Sequence, residues 1–90
     1  MIKHYRIYVQ GIVQGVWFRK YTFEQALSCN LKGMVRNEAD GRVYSEAEGK
    51  EKDLKSFISK LEIGPPLSVV TSVTWEEGEF KQYTKFEISR

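Results

Sequence analysis

The hydrophobic period of this chain switches from about 2 to about 3.6 residues and back, and does so twice, which leaves few folds open. Tyr5, Ile7 and Val9 alternate with Arg6, Tyr8 and Gln10, the pattern of a half-buried strand. Residues 11–18 break the alternation with two glycines. A helical stretch follows from Arg19 to about Asn30, with Phe23, Ala26 and Leu27 on one stripe. Leu31, Gly33 and Val35 restart a strand. Glu38-Ala39-Asp40-Gly41 is turn chemistry, and Val43, Ser45 and Ala47 alternate with Tyr44, Glu46 and Glu48, so the pair reads as a hairpin. Leu54, Phe57, Ile58 and Leu61 fall at i, i+3, i+4 and i+7 of a second helix, which Gly64-Pro65-Pro66 ends. Two further strands are expected around 70–77 and 85–89. The order predicts an α+β, ferredoxin-like split β-α-β fold: βαββαβ plus a short fifth strand, an antiparallel sheet with two helices on one face.

At 90 residues the whole chain, 1–90, is expected to be one domain. A chain of this size buries roughly 64% of its unfolded surface, enough for one core. Hydrophobic residues at 41% and charged residues at 29% exclude a disordered chain. No apolar run approaches the ~18 residues of a membrane span. The opening Met1–Arg6 lacks the apolar stretch of a secretory signal. A cytoplasmic protein without membrane contact is therefore expected. Cys29 is the one cysteine and cannot close an intrachain disulfide, and one histidine cannot build a multi-histidine metal site. A net charge of +2 is too mild to imply nucleic acid. Its distribution is uneven, with 7 basic and 3 acidic residues in 1–45 against 7 and 9 in 46–90. Either a small anion binds through the first half or the asymmetry is accidental.

Several chemistries are absent. There is no phosphate loop of the G-x-x-x-x-G-K-[ST] type and no G-x-G-x-x-G. Arg36 lies one position too far from Cys29 for the C-x5-R spacing of cysteine phosphatases, and Cys29 reads as a packing residue at a helix end. His4 has no Asp or Cys near it in sequence and is expected at the surface. Glu76, Glu77 and Glu79 read as a solvated strand end and turn.

Two segments remain. Gly11 to Arg19 joins the first strand to the first helix. Gly15 permits a positive φ, which lets successive backbone N–H groups converge. The helix N-terminus brings its unpaired amides to the same place, and Arg19 adds a planar fork suited to phosphate oxygens. The segment is either an oxyanion cradle or a glycine turn beside an ordinary surface arginine. The second segment is Gly33-Met34-Val35-Arg36-Asn37. In the expected topology the first two strands run parallel with the third between them, so their C-terminal ends open on one edge about 10 Å apart. Arg19 and Asn37 would reach toward one spot, where a carboxamide suits a water. The other reading makes Asn37 a residue of the turn.

With these segments in hand, the chain resembles the acylphosphatases. The family signature G-x-V-Q-G-V-x-F-R is matched in full by Gly11 through Arg19. A second signature, G-x-V-x-N, is matched by Gly33, Val35 and Asn37, with Met34 where the family usually has an aromatic residue. The resemblance continues through Asp40-Gly41, Val43, Glu48-Gly49, Phe57, Gly64-Pro65 and Phe86-Glu87-Ile88, essentially the whole chain. It implies metal-independent hydrolysis of acyl phosphates to carboxylate and inorganic phosphate, without a cofactor. By motif position, Arg19 would bind the phosphoryl group and Asn37 would orient the attacking water. The backbone amides of Gln14, Gly15, Val16, Trp17, Phe18 and Arg19 would form the cradle. The expected partners are a small acyl phosphate, with inorganic phosphate as product and inhibitor, and no nucleic acid; the expected state is a monomer. The chemistry suits so sparse a site, because a carboxylate leaves as a stable anion and needs no general acid. Two rival readings are a catalytically idle phosphate-binding module and a ferredoxin-like nucleic-acid binder. Tyr8 and Tyr44 on the sheet face away from the helices favour the second rival, while Glu46 and Glu48 on that face oppose it.

Overall fold

A computed structural model describes residues 1–89. The elements run β1 (Ile2–Ile12), α1 (Phe18–Ser28), β2 (Lys32–Asn37), β3 (Val43–Lys50), α2 (Glu51–Ile63), β4 (Val69–Gly78) and β5 (Phe86–Ile88). They build one sheet in the order β4-β1-β3-β2-β5. β3 pairs antiparallel with both β1 and β2, so β1 and β2 run parallel two strand spacings apart, as expected. The pair β1–β4 is also antiparallel. The short fifth strand joins β2 in parallel, with Gly33, Met34 and Val35 opposite Phe86, Glu87 and Ile88, and makes the sheet mixed.

One face of the sheet meets the helices. Tyr5, Ile7 and Val9 of β1, Val43 and Ala47 of β3 and Val35 of β2 are buried there with Leu54, Phe57, Ile58 and Leu61, the predicted stripe of α2. Phe86 anchors β5 in this core, its ring edge-on to Phe23 and Phe57 at 6.2 Å from each. In α1 the buried stripe is Phe18, Thr22 and Ala26, one residue every turn, while Phe23 packs at the margin. Leu27, expected inside, is exposed because it lies a further 100° round the helix from Ala26. Thr22 is admitted to the core because its hydroxyl donates to the Phe18 carbonyl at 2.8 Å. Cys29 is buried at the end of α1, in the packing role expected of it.

The opposite face is not the open surface a two-layer fold usually presents. Residues 79–85 connect the two edge strands of the sheet, β4 and β5, and Glu46 and Glu48 of β3 hold them on the way. Glu48 accepts from the backbone N–H groups of Lys81 and Tyr83, and Glu46 accepts from the Tyr83 hydroxyl and pairs with Lys81 Nζ at 2.9 Å. His4, far from surface-exposed, is buried inside β1. Its Nδ1 lies 2.7 Å from Glu48 and its Nε2 3.2 Å from Glu46, under the stacked ring of Tyr83. Sequence neighbours concealed this, since its partners come from β3 and the 79–85 strap. Burial pushes both carboxyls up. The bonds from Tyr44, Lys81 and Tyr83 outweigh it at Glu46, and those from Lys81, His4 and Tyr83 outweigh it at Glu48, so both sit below the usual carboxylate range. Burial, with Glu46 beside it, pushes the Tyr83 hydroxyl up to about 12.

Candidate active site

The loop from β1 to α1 is pinned at both ends by apolar side chains. Val13 and Phe18 are buried and Val16 packs against the core, so the residues between them must turn tightly. Gly15 turns at φ 73° and Trp17 at φ 65°, ψ 21°, the second a left-handed conformation that side chains rarely adopt. The loop thereby spends its amides on nothing inside the fold. Among the described residues, no backbone N–H from Gln14 to Trp17 is donated to a protein acceptor. The first helical bond runs from Tyr21 N–H to the Trp17 carbonyl, and the amides of Phe18, Arg19 and Lys20 are the free donors of a helix N-terminus. Seven consecutive residues, Gln14 to Lys20, thus carry donors available to an anion.

A cavity of about 640 Å³ opens at this loop, lined by Val13, Gly15, Trp17, Phe18, Arg19, Lys20, Phe23, Asn37 and Ile88. Arg19 is half-buried, and among the described residues it has no carboxylate partner and no side-chain hydrogen bond. Asn37 reaches the cavity from the other side, as the last residue of β2, paired across the sheet with Val43. It is therefore a strand residue and not part of the turn. Its Oδ1 is shielded from solvent and has no hydrogen-bond partner. Of the residues proposed for the cradle, Gly15, Trp17, Phe18 and Arg19 line the cavity, whereas Val16 turns to the core and the Gln14 side chain turns to the β2–β3 connection.

The sequence profile of the acylphosphatases matches residues 5–88. The chain belongs to the acylphosphatase family. It is 45% identical over 83 residues to the acylphosphatase of Archaeoglobus fulgidus, covering 92% of this chain and 93% of that one. It is 46% identical over 86 residues to that of Bacillus licheniformis, covering 94% and 96%. The crystal structure of acylphosphatase from Bacillus subtilis superposes with a TM-score of 0.95 at 40% identity, over the full length of both chains. The match to this family spans both motif segments, so Arg19 and Asn37 lie within it.

Sequence reasoning missed the walls that this cavity acquires from elsewhere in the chain. Ile88 arrives on β5, Phe23 comes from one turn deeper in α1, and Lys20 lies with its Nζ 6.0 Å from the Trp17 ring centre. Only topology brings Ile88 beside Asn37. Lys20 could have been suspected, because it directly follows Arg19 at the helix start.

Proposed function

We propose that this chain hydrolyses acyl phosphates by direct attack of water on phosphorus, with no covalent enzyme intermediate and no metal requirement. The phosphoryl oxygens lie against the amides of residues 14–19 and the guanidinium of Arg19. That arrangement places fixed donors where charge gathers on the equatorial oxygens. Asn37 holds a water on the side opposite the leaving group. The water oxygen bonds to phosphorus as the bond from phosphorus to the acyl oxygen breaks. The electron pair leaves on the carboxylate, and the water proton passes to a phosphate oxygen. No side chain need titrate.

The observation that carries this reading is one cavity lined by both Arg19 and Asn37, each with a polar group unspent among the described residues. Among the described residues the Arg19 guanidinium has no counter-ion and is free to take an anion, and the shielded Asn37 oxygen without a donor costs about 1–3 kcal/mol. Phosphate satisfies the first and water the second. The terminal torsion of the carboxamide is soft, so a turn about it would offer Oδ1 to that water.

The roles separate experimentally. Asn37→Ala should lower kcat by about 100-fold or more, about 3 kcal/mol, and leave phosphate affinity nearly unchanged. Arg19→Ala should weaken phosphate binding as well as turnover, and Arg19→Lys should restore little, since lysine lacks the planar fork. Steady-state hydrolysis of a chromogenic acyl phosphate, with phosphate as inhibitor and thermal unfolding as a folding control, reads all three. A folded Asn37→Ala with wild-type kcat would remove Asn37 from the mechanism. A wild-type chain that binds phosphate and leaves acyl phosphates intact would be a binding module instead.

A further inference from the structure

The Gln14 carboxamide is committed elsewhere than to the phosphate loop it belongs to. Its Nε2 donates to the Glu38 carbonyl at 2.8 Å and to the Arg42 carbonyl at 2.9 Å. Glu38 follows Asn37 in the chain, and Arg42 precedes Val43, the cross-strand partner of Asn37. The side chain therefore grips both strands one residue beyond the Asn37–Val43 pair. The grip is on a braced object. Glu38 N–H donates to the Arg42 carbonyl at 2.8 Å, Gly41 N–H returns to the Glu38 carbonyl, and Asp40 holds the Arg42 backbone and guanidinium. The loop has no such bracing, because among the described residues its amides from Gln14 to Trp17 have no acceptor. Val13 and Phe18 fix its ends and Val16 packs against the core, while the Gln14 bonds tie the residue after Val13 to the hairpin.

We propose that Gln14 is a positioning residue whose side chain sets the register between the phosphate loop and Asn37. The inference rests on the roles given above to the loop and to Asn37. In-line attack needs the phosphorus and the water oxygen held within a few tenths of an ångström, and the two are carried by different parts of the chain. Phosphate bound to the loop and Arg19 moves with the loop. Loss of the Gln14 bonds therefore leaves phosphate bound and misaligns it with the water.

The test is a double-mutant cycle between Gln14→Met, which keeps the length and removes the donor, and Asn37→Ala. Gln14→Met alone should lower kcat about tenfold and change phosphate affinity by less than about twofold. In the Asn37→Ala background the same change should alter kcat by less than about twofold, because no aligned water is left to lose. If Gln14→Met does not fold, Gln14→Leu, also uncharged and without a donor, serves the same cycle. An unchanged kcat, or an equal loss in both backgrounds, overturns the register role and leaves Asn37 where it was. A loss of phosphate affinity as large as the loss of kcat assigns Gln14 to binding and overturns it too. A wild-type kcat in Asn37→Ala alone overturns the underlying reading, and the register argument with it.

Discussion

A methyl group added at Gly15 would meet no atom within 4 Å, so the effect of Gly15→Ala comes from the backbone alone. At φ 73° an alanine costs on the order of 1 kcal/mol that glycine does not. If that strain turns the loop amides away from convergence, phosphate binding should weaken about fivefold, equivalent to about 1 kcal/mol. Isothermal titration with phosphate checks this, and undiminished affinity would mean the loop tolerates alanine as it tolerates Trp17. That Arg19, Asn37 and Gly15 come to one cavity was legible in the sequence, because each stands inside a compact motif. The Gln14 side chain was not. Its acceptors lie 24 and 28 residues away, and both are backbone carbonyls, which no residue type advertises.

Among the elements, the strap 79–85 responds most directly to acid. Both carboxyls that hold it have folded pKa values below their unfolded ones. The stability they contribute is therefore fully present above the ordinary carboxylate pKa of about 4.3 and is lost as pH falls through the lower folded values. His4, Tyr44, Tyr83, Lys81 and Arg36 are the titratable groups around them, and the cationic Lys81 and Arg36 would repel once the carboxyls are neutral. Thermal unfolding followed from pH 7 to 3 should show a steep fall below about pH 4. Glu48→Gln should unfold earlier at pH 7 and show a flatter acid limb, and parallel curves for the two proteins would exonerate the strap. α2 was fully legible from its spacing, and β1 to β3 nearly so. The strap was not, because seven residues without periodicity reveal neither their path nor the two glutamates that fix it. Alternation correctly set Glu46 and Glu48 on the face away from the helices, but what covers that face comes from much later in the chain.

For the molecule as a whole, a ligand that binds the native chain and not the unfolded one must raise its unfolding temperature. Inorganic phosphate at ten times its dissociation constant should add about 1.4 kcal/mol, or roughly 6–11 °C for a domain of this size. It should also inhibit hydrolysis competitively, since on the proposed mechanism substrate and product share the group that the loop would bind. A thermal shift without competition would move phosphate to another site. The placing of β3 between parallel β1 and β2 followed from element order, through the handedness and short connections that βαβ units obey. The parallel seat of β5 beside β2 did not, because three residues carry too little pattern to choose a neighbour. That seat has a consequence in time. Ile88 lines the cavity, yet the ribosome adds it long after Arg19 and Asn37. A growing chain holds Arg19 and Asn37, the side chains given chemical roles in the proposal, well before it holds this wall. On the proposed mechanism, activity from a chain still on the ribosome would report the docking of β5 rather than the earlier arrival of Arg19 and Asn37.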